Sequence, residues 1–116
     1  MKREFRLTRS TDFKRVRRSG RSYAHPLIVL IAFPNSDQHL RFGIAAGRSV
    51  GNAIKRNRSK RLLRASVNGM LTEIKMGWDI ILLARQATSC STFGQTSKAL
   101  LSLLRRAHLL KVIDGS

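Results

Sequence analysis

The sequence predicts a small α+β domain, and three observations lead to that class. A strand-like run, a long basic helix and a second strand-like run follow one another, which is the order of a βαβ unit. A turn signal between two apolar runs predicts a hairpin before this unit, and amphipathic segments at both ends predict flanking helices. The 116 residues, 42% of them apolar, suffice for one modest core, so we expect residues 1–116 to form a single domain.

The N-terminal third of the chain carries a predicted helix and a predicted strand. Residues 11–18 have helical character, with Ser10 as a cap and Gly20 at the position where a helix stops. Residues 27–33 are apolar and rich in branched side chains, which favours a strand, and residues 34–37 (Pro-Asn-Ser-Asp) are typical of a turn. We therefore expect the strand to lead into a hairpin.

The next predicted strand, residues 40–47, alternates between two different faces. One face is apolar and the other is nearly bare of side chains; the two sets are Leu40, Phe42, Ile44 and Ala46, and Arg41, Gly43, Ala45 and Gly47. A bare face lets another backbone or a flat ligand approach closely. The basic helix is expected to end near residues 68–69, a buried strand to follow at residues 79–85, and a last helix to span residues 92–110.

The basic helix is the most informative segment of the chain. Residues 50–64 contain six cations and no acid, and from residue 38 through residue 72 there are eight Lys or Arg and no Asp or Glu. Like charges at i,i+3 and i,i+4 repel each other, and a polyanion would relieve that repulsion. The whole chain has 23 Lys and Arg against 6 Asp and Glu, a formal charge of +17. These charges indicate a surface that faces phosphates.

Helical periodicity assigns the residues of this helix to faces. Ile54, Leu62 and Ala65 share an apolar arc and are expected to meet the sheet, opposite a wide polar face that contains Arg56, Asn57, Lys60, Arg61 and Arg64. Arg58 falls inside the apolar arc, so either its stem lies along the core edge or packing holds its guanidinium for a phosphate. Asn52 and the glycine before it start the helix, where free backbone N–H groups make an anion site.

Other classes of partner and compartment fit less well. The longest apolar run, residues 27–33, has seven residues against the roughly 20 that a spanning helix requires, so no membrane partner is expected. The basic N-terminal segment lacks the apolar stretch of a secretory signal, which favours a cytoplasmic location. A ribosomal or RNA-chaperone protein has the same charge and size and remains the main alternative. A DNA-binding module comes third, because no helix-turn-helix spacing and no heptads accompany the basic helix.

The order of residues within the helix adds specificity. Residues 51–64 read Gly-Asn-Ala-Ile-Lys-Arg-Asn-Arg-Ser-Lys-Arg-Leu-Leu-Arg. This run resembles the signature of the bacterial ribonuclease P protein family, commonly written Gly-Asn-Ala-Val-x-Arg-Asn-Arg-x-Lys-Arg-x-x-Arg, with only Ile54 in place of Val. The likeness extends over nearly the whole chain, including an Asp12-Phe13 pair in the first helix.

This resemblance implies a fold and an activity. Members of the family have a small α-β-β-β-α-β-α sandwich of the ribosomal protein S5 domain 2 type, with a left-handed βαβ crossover that departs from the usual right-handed rule. They pair with a catalytic RNA, and the complex removes the 5′ leader of precursor tRNA. The resemblance thus implies two RNA partners, the ribonuclease P catalytic RNA and precursor tRNA, and no obligate protein partner.

The site residues follow from the resemblance and the charge pattern. Contacts with the catalytic RNA are expected from Arg48, Asn52, Lys55, Arg56, Asn57, Arg58, Lys60, Arg61 and Arg64. The resemblance implies that a cleft between the first helix and the sheet holds the leader, with contacts from Phe13, Arg17, Ile31, Arg9 and Lys14. Many family members carry aromatics where this chain has Arg17 and Ile31, so leader binding here is expected to depend more on charge and less on stacking. Helical spacing from Val16 alone favours a core role for Phe13, whereas the resemblance favours stacking on a base.

The residue pattern contains no catalytic centre of the protein's own. A two-metal nuclease needs clustered carboxylates, and the six acids and three histidines of this chain show no such clustering in the sequence. We therefore expect no catalytic and no metal-binding residue in the protein. The resemblance implies that the RNA subunit holds the active site and the Mg²⁺.

Overall fold

The computed structural model describes residues 2–111, which form a four-stranded sheet with helices on both faces. The elements in chain order are α1 (Ser10–Ser19), β1 (Arg21–Ala24), β2 (Ile28–Pro34), β3 (Leu40–Ala45), α2 (Ala53–Asn68), β4 (Trp78–Ala84) and α3 (Phe93–Arg106). The expected α+β class and the α-β-β-β-α-β-α order are confirmed. Within the described residues, no helix has the length and apolar character needed to cross a bilayer.

The strands lie in the order β1-β2-β4-β3. β2 is antiparallel to both β1 and β4, whereas β3 is parallel to β4 and is joined to it through α2. The predicted hairpin between β2 and β3 is therefore wrong, because β4 lies between these two strands. The hairpin of this fold joins β1 to β2, and β1 has too few apolar residues for its position to be evident from hydrophobic patterning.

The two faces of the sheet carry separate apolar clusters. On one face, α2 and α3 pack on the larger cluster, in which Leu63 and Leu100 meet Leu30 and Ile80. On the other face, α1 covers a smaller cluster around Val16. The sheet thus separates α1 from α2.

The caps of the helices differ in part from the prediction. Gly20 ends α1 as expected, but Arg9 occupies the N-cap position and Ser10 is already helical. Thr92 caps α3, whose helical residues stop at Arg106, four residues before the expected end.

Candidate nucleic-acid interface

The sheet face under α1 consists of three rows, each with one residue from β2, one from β4 and one from β3. The first row is Phe33, Asp79 and Arg41, the second is Ile31, Ile81 and Gly43, and the third is Val29, Leu83 and Ala45. α1 covers the second row, which is buried, whereas all three residues of the third row are only half-buried. The third row therefore forms the floor of a cleft beside α1.

Arg41 anchors the N-terminal end of α1 on the first row. Its guanidinium donates two hydrogen bonds to Asp79, from Nε to Oδ1 at 2.9 Å and from Nη2 to Oδ2 at 3.1 Å, and lies 3.9 Å from Asp12 of α1. Both carboxylates are buried. The hydrogen bond to Asp79 raises the pKa of Arg41, against a smaller opposing effect of burial. The positive charge of Arg41 is thus paired with carboxylates of the protein itself.

Phe13 sits against the barest point of the sheet. A Cβ atom at Gly43 would lie 2.8 Å from Cε2 of Phe13, so the ring packs directly on the glycine backbone. The close approach predicted for this strand face is made at Gly43 by the chain's own ring. Phe13 as a whole is half-buried.

The cations of α1 extend this surface. Arg17 follows Phe13 by one helical turn and is exposed, so the two share the flank of α1. Asp12 faces the first row and Phe13 faces the second row, so the side of α1 that carries Phe13 and Arg17 borders the third row. We call this flank of α1 together with the third row the α1 cleft. Lys14 and Arg9 are exposed nearby, whereas Ile31 is buried in the second row, with 6% of its surface accessible.

The entry to α2 has a defined geometry. Gly51 has a φ of 134°, a conformation that side chains of L-residues disfavour, so the turn before the helix requires glycine. The side chain of Asn52 accepts a hydrogen bond from the backbone N–H of Lys55 at 3.0 Å and caps the helix. Arg48 is exposed in the short 3₁₀ turn that leads from β3 to this cap.

The orientation of α2 differs from the prediction. The residues that meet the core are Ser59, Leu63, Ser66 and Val67, whereas Ile54 is 76% exposed, Leu62 is half-buried and Ala65 is exposed. The serine hydroxyls explain the difference, because Ser59 donates to the carbonyl of Lys55 and Ser66 to that of Leu62, both at 2.9 Å. Serines satisfied within the helix can be buried at small cost, and periodicity that treats serine as polar cannot detect this.

The cations of α2 lie around its outer side. Lys55, Arg58 and Arg61 are exposed together with Asn57, while Arg56, Lys60 and Arg64 are half-buried at the flanks. Within residues 2–111, the carboxylates that form ion pairs do so with Arg15 and Arg41, and none lies within 4 Å of a cation of α2. This helix therefore presents positive charge that no acid of the described chain neutralises.

Arg58 has a second set of contacts. Its Nε donates to the carbonyl of Ser89 at 2.8 Å, and its Nη2 lies 3.5 Å from the carbonyl of Ser91. These bonds tie α2 to the turn between β4 and α3. Arg58 as a whole is exposed, and these backbone carbonyls orient its guanidinium.

The acidic residues offer little to a metal ion. Asp12 and Asp79 are both engaged by Arg41, and Asp114 lies outside the described residues. In the described part of the chain, no three His, Cys, Asp or Glu side chains come close enough together to hold a metal ion. The described residues therefore offer no cluster of side chains that fits a protein-bound metal centre.

The floor of the α1 cleft was not predicted from the sequence. Val29, Leu83 and Ala45 come from three strands, and only the strand register brings them into one row. The sequence did contain one signal for it. β2 and β4 are apolar on both faces, and α1 is too short to cover a whole face of the sheet, so some apolar residues had to remain uncovered.

Comparisons with known proteins agree with this architecture. The family model described as Ribonuclease P matches residues 1–108. A Ribonuclease P protein component from Herpetosiphon aurantiacus is 38% identical over 109 residues, which cover 94% of this chain and 89% of that protein. A second one, from Oceanobacillus iheyensis, is 36% identical over 112 residues, covering 96% of this chain and 93% of the relative.

Solved structures are similar as well. The RNase P protein of Staphylococcus aureus superposes with a TM-score of 0.82 at 30% identity, covering 92% of this chain and 98% of that one. The RNase P protein of Thermotoga maritima gives a TM-score of 0.78 at 30% identity, covering 87% and 96%. With the family match over nearly its full length, the chain belongs to the ribonuclease P protein family and is a protein subunit, working with the RNase P RNA, of the endoribonuclease that matures the 5′ ends of tRNA.

Proposed function

We propose that residues 1–116 are a single RNA-binding domain with two surfaces, one for the catalytic RNA and one for the 5′ leader of precursor tRNA. The observation that carries this proposal is that α2 and the α1 cleft lie on opposite faces of the sheet, each with exposed cations. Two RNA segments can therefore bind at once without competing for the same charges. The cytoplasm, where tRNA is processed, is the proposed location.

The catalytic RNA is proposed to bind along α2 and the turn before it. The cations of the helix and of its entry would neutralise phosphates; they are Arg48, Lys55, Arg56, Lys60, Arg61 and Arg64. Asn57 offers an amide from the exposed side of the helix. Asn52 has a supporting role, since its side chain is engaged as a cap and leaves the first N–H groups of α2 for an anion. Arg58 offers its remaining N–H groups in the pose fixed by the Ser89 and Ser91 carbonyls.

The leader is proposed to lie in the α1 cleft. Phe13 offers part of its ring to a base, and the exposed Arg17, Lys14 and Arg9 offer charge to the backbone. Ile31, being buried, would support the cleft from below and not stack on a base. An apolar floor with cations on one flank suits a single strand, whose bases and phosphates need different surroundings.

The chemistry is assigned to the RNA subunit. Ribonuclease P depends on metal ions, and Mg²⁺ is the proposed ion, held by RNA because the described protein residues do not fit a metal centre. The protein's part is to bind, neutralise charge and position the leader.

The test compares two substrates in the reconstituted holoenzyme. Phe13→Ala should weaken binding of precursor tRNA by about five- to a hundredfold, the range expected when one aromatic stack is lost, and leave mature tRNA nearly unaffected. Phe93→Ala is the matched control, since Phe93 is 51% exposed on α3, away from the cleft. If Phe13→Ala impairs both substrates equally and lowers the melting temperature, Phe13 is a core residue and the leader assignment is wrong.

A further inference from the structure

A pocket at the edge of the sheet, beside the end of α1 and the start of β1, belongs to neither of the two proposed surfaces. It has a volume of about 320 Å³ and lies where β1, β2 and β4 pass the C-terminal end of α3. Arg21, Tyr23, Ala32, Trp78 and His108 line it. Ligand pockets commonly have about 300 to 1,000 Å³, so this volume suits one small planar group.

The sheet creates this pocket by placing a small residue between large ones. Arg21 of β1 is paired with Ala32 of β2, and on the same face Trp78 of β4 is paired with Pro34 at the end of β2. The methyl group of Ala32 leaves a depression between the longer side chains. α3 ends at Arg106 before covering it, and His108, in a left-handed backbone conformation with a φ of 58°, closes one wall.

The walls combine two aromatic rings with a cation. Tyr23 and Trp78 are half-buried and pack against the main apolar cluster. Arg21 and His108 are exposed at the rim, and none of the lining residues is acidic. Rings of this kind stack on nucleobases of any sequence, and a neighbouring guanidinium attracts the phosphate.

We propose that this pocket binds an unpaired RNA nucleotide, with its base against the aromatic side chains of Tyr23 and Trp78 that line the pocket and its phosphate at Arg21. The nucleotide comes from a part of the leader beyond the α1 cleft or from a loop of the catalytic RNA, since both present the same chemistry. Neither Phe13 nor Arg17 lines the pocket, so it is a third RNA contact and does not depend on the assignment of the α1 cleft.

The test uses the only tryptophan of the chain as a local probe. The full-length protein is titrated with a short oligoadenylate while Trp78 fluorescence is recorded, and saturable quenching is expected. Tyr23→Ala should weaken this binding by about five- to a hundredfold and Tyr23→Phe should retain it. Arg21→Ala should weaken it severalfold, whereas Lys98→Ala, which removes the same charge from an exposed site on α3, should not.

Several outcomes overturn the proposal. The first is that the oligoadenylate does not quench Trp78 fluorescence. The second is that Arg21→Ala and Lys98→Ala change the binding affinity equally. The third is that quenching is lost in Phe13→Ala but kept in folded Arg21→Ala. The source of the nucleotide is then identified in the assembled complex. Quenching by the catalytic RNA alone assigns the nucleotide to that RNA, and quenching only on addition of precursor tRNA with a long leader assigns it to the leader.

Discussion

Arg41 and Arg61 carry the same charge, but their replacement by Ala should affect different properties: stability for Arg41 and RNA binding for Arg61. Arg41→Ala leaves Asp79, 3% exposed, without its two guanidinium hydrogen bonds and with only the Asn35 amide, 3.0 Å away, as a side-chain donor. Removing one partner of a buried ion pair typically costs about 3 to 5 kcal/mol. Because a quarter of the Arg41 side chain is accessible to water, we expect the lower end, about 3 kcal/mol. For a domain of this size, this corresponds to a drop in melting temperature of roughly 10 to 20 °C.

Arg61→Ala changes the net charge by the same amount on the exposed side of α2. Its effect on stability should stay within about 0.5 kcal/mol, as for most surface substitutions. Its effect on RNA binding should be larger, because each phosphate contact that is lost flattens the dependence of log affinity on log salt by somewhat under about one unit. Arg41→Ala should leave that slope unchanged.

The assay combines thermal unfolding with binding to the catalytic RNA across a salt series. Arg41 has a raised pKa, so its contribution to stability is complete below the ordinary pKa of arginine and is lost only as the pH rises through the raised value. The destabilisation by Arg41→Ala should therefore be the same at about pH 6 and about pH 9. If Arg41→Ala melts like the wild type but flattens the salt slope, Arg41 contacts RNA and the internal ion pair is unimportant.

Three further predictions concern the cleft, the helix cap and the chemistry. Gly43→Ala should lower stability by about 1 to 3 kcal/mol and weaken precursor binding more than mature tRNA binding, because the new Cβ atom displaces the ring of Phe13; unchanged affinity for both substrates would refute this coupling. Asn52→Ala should lower stability by about 1 kcal/mol and leave the affinity of the folded protein for the catalytic RNA at a fixed salt concentration nearly unchanged, since the side chain caps the helix; a loss of affinity in the folded variant would instead indicate a direct RNA contact. The purified protein alone should not cleave precursor tRNA at any Mg²⁺ concentration, yet with the catalytic RNA it should restore cleavage at low Mg²⁺. RNA-free cleavage that is abolished by an Asp or Glu substitution would contradict that expectation.

Local signals in the sequence predicted most elements of the fold, but not how the strands pair. The turn after β2 is present, yet the strand that follows it pairs elsewhere, because β4 supplies a better apolar partner for β2 from 44 or more residues away. A turn signal reports a change in chain direction and carries no information about a strand inserted later.

The candidate site shows the same division between local and distant information. Composition was enough to find the basic helix, because its acid-free character is a property of consecutive residues. Which face of α2 meets the core depended on two serines, whose hydroxyls donate hydrogen bonds to carbonyls of the same helix. The floor of the α1 cleft depended on register across three strands, which no single segment encodes.

The placement of β4 in the middle of the sheet has a consequence for how the chain folds as it is made. β3 has β4 as its strand neighbour, so the sheet cannot close until Trp78 and the residues after it have been synthesised. All of α2 emerges earlier, and contacts between residues distant in sequence form slowly. A fragment that ends before Trp78 should bind RNA through its cations while its circular dichroism lacks the signal of the complete sheet. During synthesis, the basic helix is thus exposed to RNA before the core of the protein has formed.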